Sequence, residues 1–301
     1  ADQGRLREAL GTSALGDVLG NSITRRMVAE YQADDIYDVW KDLVDIVPVS
    51  DFRTQERTRW GGYGTLPGVS EGAAYAALTS PNDEVATYAI TKRGGLETIT
   101  LEAITNDDVG FIQRIPTRLA MAAKRTISRF VFNFLSTNPT IYDGLALFHA
   151  THANLGTAAL SAASVEAGRL AMKAQTEKDS GEKIGIAPRF LWVPDVLERT
   201  AFDLFQRGTN IDQDYVQSLQ LVVRAVWCWT DANDWVLSAD PKKVPTIELG
   251  FLNGQQDPDV LVQDSPTAGS FFTNDQITYK IRHIYGGAAG DYRGLYKAVV
   301  A

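Results

Sequence analysis

Two histidines three residues apart, His149 and His152, have the spacing of a metal-binding pair. Such an i, i+3 pair can chelate zinc when both side chains project from one helix. The pair follows Asp143-Gly144, however, which is typical of a loop, and no cysteine or glutamate lies nearby in sequence. Hydrogen-bonded structural histidines are therefore the favoured interpretation. A metal-dependent cytosolic enzyme that uses His149 and His152 is the less favoured alternative.

The remaining nucleophile candidate is Cys228, the one cysteine of the chain, which lies between Trp227 and Trp229. A reactive thiolate needs positive, accessible surroundings, so this position indicates a small hydrophobic residue within a strand. The sequence contains no GxSxG, HExxH, phosphate-loop or paired-cysteine motif. We therefore predict that the protein is not an enzyme, with no catalytic, cofactor-binding or metal-binding residues and no cofactor.

The composition favours a structural protein that is large enough to bury a substantial core. The chain has 301 residues and a mass of 33.0 kDa, of which 45% are hydrophobic. With 29 basic and 37 acidic residues, its formal charge of -8 argues against tight, sequence-independent binding to nucleic acid. No apolar run approaches the roughly 18 to 20 residues that span a bilayer, so we expect no membrane partner.

Two helices stand out in the pattern of apolar residues. An amphipathic helix is predicted from Ile36 to Val47, ending before Pro48. The clearest helix is predicted over 117–135, with a proline in its first turn. One side of this helix is apolar, and the opposite side carries three arginines that could face nucleic acid, a neighbouring subunit or solvent: Arg118, Arg125 and Arg129.

The rest of the chain alternates helical and strand patterns. Runs at 85–91 and 96–104 flank Lys92-Arg93-Gly94-Gly95, which predicts a β-hairpin. Residues 160–260 are typical of an α/β block, with Ser161 or Ser164 capping a helix and strands at 189–193 and 221–230. The C-terminal part returns to β structure, with a turn predicted at Gly286-Gly287.

Between these elements, residues 51–83 are unusually rich in glycine and proline, which indicates a functional excursion such as a lid or an arm that binds a partner. Its aromatic residues Trp60 and Tyr63 are candidate anchors on a partner, because buried Trp and Tyr often dominate interfaces. Arg57 and Arg59 are the candidate polar contacts of the same surface. Packing within the loop itself is the alternative for the two aromatic residues.

The order of these parts resembles the tailed-bacteriophage major capsid proteins of the Hong Kong 97-type fold, and specifically the major head subunits that include the Mu-like type. The local likeness lies in the sequences at 88–95, 104–110, 143–149, 152–155 and 291–294, and it extends over roughly residues 35 to 301. No one of these motifs is diagnostic alone, so the likeness depends on their order and spacing.

The resemblance implies an α+β fold with the following parts. They are an N-terminal arm at 1–35, the first part of a P-domain at 36–51, an extended E-loop at 52–95, the P-domain proper at 96–144 with a spine helix at 117–135, an α/β A-domain at 145–255, and a C-terminal β segment at 256–301 that rejoins the P-domain.

The implied function is self-assembly into pentamers and hexamers of an icosahedral shell, with each E-loop lying over the next subunit. The shell would enclose double-stranded DNA, held weakly and non-specifically. Portal, scaffold or prohead protease, and decoration proteins are the other implied partners. The implied location is the virion, after assembly in the host cytoplasm. An encapsulin-like compartment that encloses protein cargo is the alternative with the same fold.

Two features limit what the resemblance carries over. Some relatives join subunits covalently through an E-loop lysine, but residues 54–91 here contain no lysine and Lys92 lies at the base of the loop. We therefore predict a non-covalent shell. Ala1 is compatible either with cleavage by a prohead protease or with removal of an initiator methionine.

Overall fold

The structure is a computed structural model with mixed helix and strand content. It describes residues 25–33, 36–78, 80–100, 102–103, 106, 114–208, 214–263 and 269–301. Within these ranges, none of the helices combines the length and apolar character that crossing a membrane requires. The described residues form two five-stranded sheets and one two-stranded hairpin.

The first sheet is built around one long strand near the C-terminus, to which most of the other strands pair. Strand β1 pairs in parallel with β9, and β11 pairs antiparallel with β9, β10 and β4. The bounds are β1 Val44–Val49, β4 Thr91–Thr100, β9 Ile247–Leu252, β10 Asp259–Gln263 and β11 Gln276–Ala289.

The second sheet has the strand order β5, β12, β8, β6, β7. Strands β6 and β7 are parallel, whereas β8 is antiparallel to both β6 and β12. The bounds are β5 Leu155–Gly156, β6 Phe190–Pro194, β7 Val222–Val226, β8 Trp235–Ser238 and β12 Leu295–Ala298. The C-terminal segment therefore contributes to both sheets, through β10 and β11 in the first and β12 in the second.

A separate hairpin connects β1 to β4. Its strands are β2, Gln55–Trp60, and β3, Asp83–Tyr88, which pair antiparallel along their full length. The chain between them, which the structure describes at 61–78 and 80–82, contains neither helix nor strand in these residues. We call residues 55–88 the hairpin and residues 63–81 its tip.

Helices cover the two sheets. The α-helices are α1 (25–32), α2 Ile115–Thr137, α3 Ala162–Ala174, α4 Glu198–Phe205, α5 Asp214–Ser218 and α6 Gly269–Asn274. Short 3-10 helices lie at Ile36–Asp42, Ala150–His152 and Asp195–Leu197.

One hydrophobic core joins the two sheets through α2. Ile127 and Phe132 of this helix are fully buried, in one cluster with Trp192 of the second sheet and Phe251 of the first. A second cluster fills the other face of the second sheet, under α3 and α4. Strand β6 is therefore buried on both faces, as its unbroken apolar sequence requires.

The two best-defined helices of the sequence pattern are confirmed. Helix α2 exceeds its predicted span by two residues at each end, and Asn138 ends it in the left-handed conformation with φ of 49°. In α3 both predicted capping residues act together: Ser161 accepts a hydrogen bond from the backbone N–H of Ser164, and the Ser164 hydroxyl accepts one from the N–H of Ser161.

The predicted helix at 36–47 is wrong beyond its first two turns. Residues Ile36–Asp42 form a 3-10 helix, and the chain then continues as β1 through Pro48. The β-branched residues of this strand pair with β9, and β1 is the last strand at its edge of the sheet. A proline is tolerated at such an edge because its missing N–H faces no neighbouring strand.

The two glycine pairs predicted as turns lie inside strands. Gly94 and Gly95 belong to β4, and Gly286 and Gly287 belong to β11. A Cβ on Gly94 would lie 2.2 Å from the carbonyl oxygen of Ile281, and one on Gly286 would lie 2.3 Å from that of Ala89. These glycines permit close approach of neighbouring backbones. The predicted pairing of 85–91 with 96–104 is therefore wrong: β3 pairs with β2, and β4 pairs with β11.

Two further predictions need adjustment. The strand predicted at 221–230 ends at Val226, and Trp227 and Cys228 lie in a turn. Part of the predicted arm, 25–32, is helix α1, with Met27 and Tyr31 buried against Ala120 and Ala123 of α2. Residues 1–24, and most of the 104–110 segment of the resemblance, lie outside the described residues.

Candidate functional site

The histidine pair does not form a metal site in the described part of the chain. His152 is buried, with Nε2 2.6 Å from Asp143 Oδ2 and Nδ1 3.3 Å from the carbonyl oxygen of Leu147, and its ring stacks on Tyr292. His149 Nδ1 accepts a hydrogen bond from the backbone N–H two residues later. No group of three or more His, Cys, Asp or Glu among the described residues is arranged to hold a metal ion. The hydrogen-bonded interpretation of these histidines is supported.

Cys228 is half-buried and packs against the shared core. Burial raises the pKa of its thiol above the usual value, so the reactive thiolate is disfavoured. This agrees with its interpretation as a small hydrophobic residue.

The surface that stands out is the tip of the hairpin. Its apolar side chains extend into solvent: Tyr63 is 60% exposed, Leu66 is 78% exposed and Tyr75 is 87% exposed. Exposed apolar side chains grouped on one projecting segment are typical of an interaction surface. Tyr63 thus lies where the sequence analysis placed a partner contact, whereas the side chain of Trp60 is not described.

Arg57 and Arg59 contact the body of the subunit from the hairpin strand β2. Arg57 Nε is 2.5 Å from Glu248 Oε1 on β9, and the Tyr88 hydroxyl donates a hydrogen bond to the same oxygen. Arg59 forms an ion pair with Asp291, which follows β11. In this chain both arginines therefore hold the hairpin to the body of the subunit.

A buried cluster of charges lies behind the hairpin, and Arg293 is at its centre. The guanidinium binds Glu84 of β3 with two nitrogens, Nη1 to Oε2 at 3.1 Å and Nη2 to Oε1 at 3.2 Å. Its Nη1 is also 3.3 Å from Asp291 Oδ1, and its Nε donates to the carbonyl oxygen of Thr176 at 3.0 Å. We call Arg59, Glu84, Asp291 and Arg293 the ion cluster.

The electrostatics of the ion cluster follow from this pairing. Burial would raise the pKa of Glu84, but the hydrogen bonds and charge of Arg293 outweigh burial and hold the pKa below its usual value of 4.5. Burial raises the pKa of Asp291, and the attraction of Arg59 offsets this only in part. Two-nitrogen binding of a carboxylate is a geometry that arginine provides and lysine does not.

The sequence pattern singles out Asp291-Tyr292-Arg293-Gly294 as a point of resemblance but gives Arg293 no role. The local signal is Asp291, whose Oδ1 accepts a hydrogen bond from the Arg293 backbone N–H at 3.0 Å, as aspartate commonly does in turns. The partner of Arg293, Glu84, lies 209 positions away in the chain, and that distance cannot be bridged by pattern alone.

The arginines predicted on one side of α2 are exposed, and two of them lie against aromatic rings. The Arg125 guanidinium lies 5.2 Å from the ring centre of Tyr37, and that of Arg129 lies 5.0 Å from that of Trp227. Arg118 is exposed on the same side of the helix. The stripe is thus partly anchored by the chain itself.

The fold is similar to that of several solved structures, one of them described as a capsid. A solved structure of the capsid of a native GTA particle superposes with a TM-score of 0.61 at 11% identity, covering 89% of this chain and 91% of that one. A protein of Mycobacterium phage Adephagia gives 0.59 at 10% identity, covering 89% and 91%. A protein of Microbacterium phage Oxtober96 gives 0.56 at 11% identity, covering 87% and 90%. At these identities the likeness shows a shared fold.

The sequence itself defines the family. Residues 83–298 match the model of a family described as phage capsid protein, and the chain belongs to that family. A comparison with curated protein sequences finds no match. The chain is thus a structural protein of the bacteriophage virion with a role in the capsid shell.

Proposed function

We propose that this protein is the major head subunit of a tailed bacteriophage, of the Hong Kong 97-type fold and the Mu-like kind. Copies assemble through pentamers and hexamers into an icosahedral shell around double-stranded DNA. Support comes from the family match and from the order of elements: an outreaching hairpin, one long helix between two sheets, and an α/β unit around the second sheet.

The observation that carries the proposal is the exposed apolar tip of the hairpin. Tyr63, Leu66 and Tyr75 lose contact with water only when another molecule covers them. In a shell the cover is the neighbouring copy, and the hairpin is then the E-loop that lies over it. The contact is heterologous, and such contacts close into rings when the rotation between copies is a whole fraction of a turn.

The other structural parts take the roles implied by the resemblance. Helix α2 is the spine helix of the P-domain, the first sheet belongs to that domain, and the second sheet with α3 and α4 is the A-domain. Trp60 and Tyr63 contact the neighbouring copy. Arg57 and Arg59 contribute to the same contact through the 39% and 32% of their side chains that remain exposed.

The charge of the chain fits a container that holds its contents loosely. A net charge of -8 opposes non-specific attachment to DNA, and only local patches such as Arg118, Arg125 and Arg129 attract phosphate or acidic groups of a neighbour. Portal, scaffold or prohead protease, and decoration proteins complete the particle, which assembles in the host cytoplasm.

Electron microscopy of the purified protein tests the proposal. The expected result is closed icosahedral shells, and particles isolated from infected cells should contain nuclease-protected double-stranded DNA. A shell that contains protein cargo and no DNA would instead identify an encapsulin-like compartment. A protein that stays monomeric in the presence of the other head proteins would refute a shell role.

A further inference from the structure

The hairpin is held to the body of the subunit at three levels, all of them below its tip. At its base, Arg57 and Tyr88 both bind Glu248. At its middle, Arg59 and Glu84 enter the ion cluster. Above that, the backbone N–H of Gly62 donates to the carbonyl oxygen of Lys178, at 3.2 Å.

The third level joins the hairpin to a turn that leads into the second sheet. The backbone N–H of Asn82 donates to Asp179 Oδ2 at 2.7 Å, and Lys178 Nζ donates to the carbonyl oxygen of Asp83 at 2.9 Å. The same turn begins directly after Thr176, whose carbonyl oxygen accepts the hydrogen bond from Arg293 Nε. Arg293 therefore links the hairpin and this turn through one guanidinium.

Glycines make this close approach possible. A Cβ on Gly61 would lie 2.8 Å from the carbonyl oxygen of Lys178, and one on Gly62 would lie 1.7 Å from Glu177 Oε2. The glycines further along the hairpin behave differently: a Cβ on Gly68 or Gly72 would have no described atom within 4 Å. The Gly61-Gly62 pair thus has a contact role that these two glycines of the tip lack.

We propose that the ion cluster, together with Gly61, Gly62 and the turn at 177–180, forms a clamp that sets the direction of the hairpin in the unassembled subunit. Hydrophobic burial contributes little here, since Pro81, Ala86 and Tyr88 are the buried apolar residues among the described hairpin side chains. Opening the clamp lets the hairpin pivot about its base at Glu248. The clamp rests on contacts within one chain, so it stands independently of the shell proposal.

Hydrogen exchange measured by mass spectrometry on the unassembled subunit tests the clamp. Arg293→Lys keeps the charge but loses the two-nitrogen contact with Glu84, and Glu84→Gln removes the negative charge. Both variants should raise the exchange rate of the Gly62 amide, which donates to the Lys178 carbonyl oxygen, at least about tenfold, which equals about 1.4 kcal/mol of local stability. The amides of β6 and β8 should keep the wild-type rate.

The matched control is Arg282→Lys. Arg282 also binds a carboxylate with two nitrogens, Nε and Nη2 to Asp259 Oδ2, and it lies on β11 away from the hairpin. This variant should leave exchange at Gly62 unchanged. An Arg293→Lys subunit with wild-type exchange in the hairpin would refute the clamp, and so would a uniform rise that includes β8.

A second variant opens the clamp without altering a charge. Gly61→Ala pushes the Lys178 carbonyl away, and it should raise exchange at Gly62 and in 177–181 to a similar extent. If Arg293→Lys does not fold, Gly61→Ala alone decides the question: unchanged exchange in 177–181 overturns the proposal. Failure of these tests leaves the shell proposal untouched, because that proposal is decided by microscopy.

Discussion

Lys297 of β12 donates a hydrogen bond across 3.1 Å to the backbone carbonyl oxygen of Leu135, so β12 caps the C-terminal end of α2. The ammonium group also lies 3.0 Å from Asp234 Oδ2, and both side chains are about nine-tenths buried. A cation at this end of a helix is favoured by the helix dipole. The contact therefore joins α2, β8 and β12 at one buried point.

Replacing Lys297 should lower the free energy of unfolding substantially. Lys297→Met leaves Asp234 as a buried charge without its partner, and we expect a loss of about 3 to 5 kcal/mol in the free energy of unfolding. Urea unfolding of the unassembled subunit measures it. The control Lys280→Met alters an exposed lysine on β11 and should change stability by less than about 0.5 kcal/mol. Equal effects of the two variants on stability would show that the pairing of Lys297 with Asp234 does not stabilise the fold.

Asn138 gives a test of helix termination. Its side chain forms two hydrogen bonds with the backbone of Phe148. Nδ2 donates to the carbonyl oxygen at 3.0 Å, and Oδ1 accepts from the N–H at 2.7 Å. Its φ of 49° also favours asparagine or glycine. Asn138→Ala should lose about 2 to 4 kcal/mol, because both hydrogen bonds are lost and the backbone is strained.

Asn138→Gly separates the two contributions, because glycine tolerates this backbone conformation but makes neither hydrogen bond. We expect it to lie between the wild type and Asn138→Ala in thermal and urea unfolding. If the glycine variant is as unstable as the alanine variant, backbone strain contributes nothing at this position.

His283 should make the subunit sensitive to mild acid. Burial among Tyr31, Phe251 and Tyr285 lowers the pKa of its imidazole to about 4, although the Gln256 carbonyl and the carboxylates of Asp257 and Asp259 act in the opposite direction. The unfolded chain binds a proton near pH 6.5, whereas the folded chain resists protonation until about pH 4. Stability is therefore lost as pH falls through this window, by about 3 kcal/mol at pH 4.

The measurement is the free energy of unfolding between pH 7 and pH 4, for the wild type and for His283→Gln. Glutamine can keep a hydrogen bond to the Gln256 carbonyl but does not titrate, so the variant should show a shallower decline in stability over this range. If stability falls with pH as steeply in the variant as in the wild type, the acid sensitivity belongs to other groups, among them the carboxylates.

The exposed tip should matter for assembly and not for folding. Tyr63→Ser and Tyr75→Ser remove apolar surface that the isolated subunit leaves in water, so its stability should stay within about 0.5 kcal/mol of wild type. Particle yield, measured by sedimentation, should fall strongly. Phe272→Ser is the control, since Phe272 is 69% exposed on α6, outside the hairpin. Normal particle yield in the tip variants would remove these tyrosines from the interface.

The shell should be held together without covalent crosslinks between subunits. Residues 54–91 contain no lysine, so the hairpin offers no amine for an isopeptide bond. Boiled particles should give one band at 33.0 kDa on a denaturing gel. A ladder of multiples of that mass would show that Lys92 or another lysine forms such a bond.

Local signals predict α2 and α3 well, because Pro116 lies at the start of the first and Ser161 caps the second. The errors arise where one residue type serves two purposes. A glycine pair can mark a turn, but in β4 and β11 it admits a neighbouring carbonyl group at a distance that no Cβ would allow. Similarly, the pattern at Val44–Val49 cannot reveal a strand locally, because its partner, β9, lies about two hundred residues further along the chain.

In the candidate site, too, local signals in the sequence predict some residues, whereas contacts between distant segments are not predictable. Composition and glycine content place Tyr63 on an outreaching segment, since those signals are local. The ion cluster is not predictable, because Glu84 and Arg293 become neighbours only after β3 and the end of β11 are folded against each other. The arginines at 57 and 59 do lie on the hairpin, yet the chain's own carboxylates, Glu248 and Asp291, bind them.

The single core that α2 shares with both sheets has a mechanical consequence. Close-packed interiors resist compression and transmit load, and Trp192 and Phe251 belong to one such interior with no seam between them. Under pressure from within a particle, each subunit should therefore deform little and move as one rigid body. Deformation should then concentrate at the contacts between copies, which in the proposed assembly include the hairpin tips.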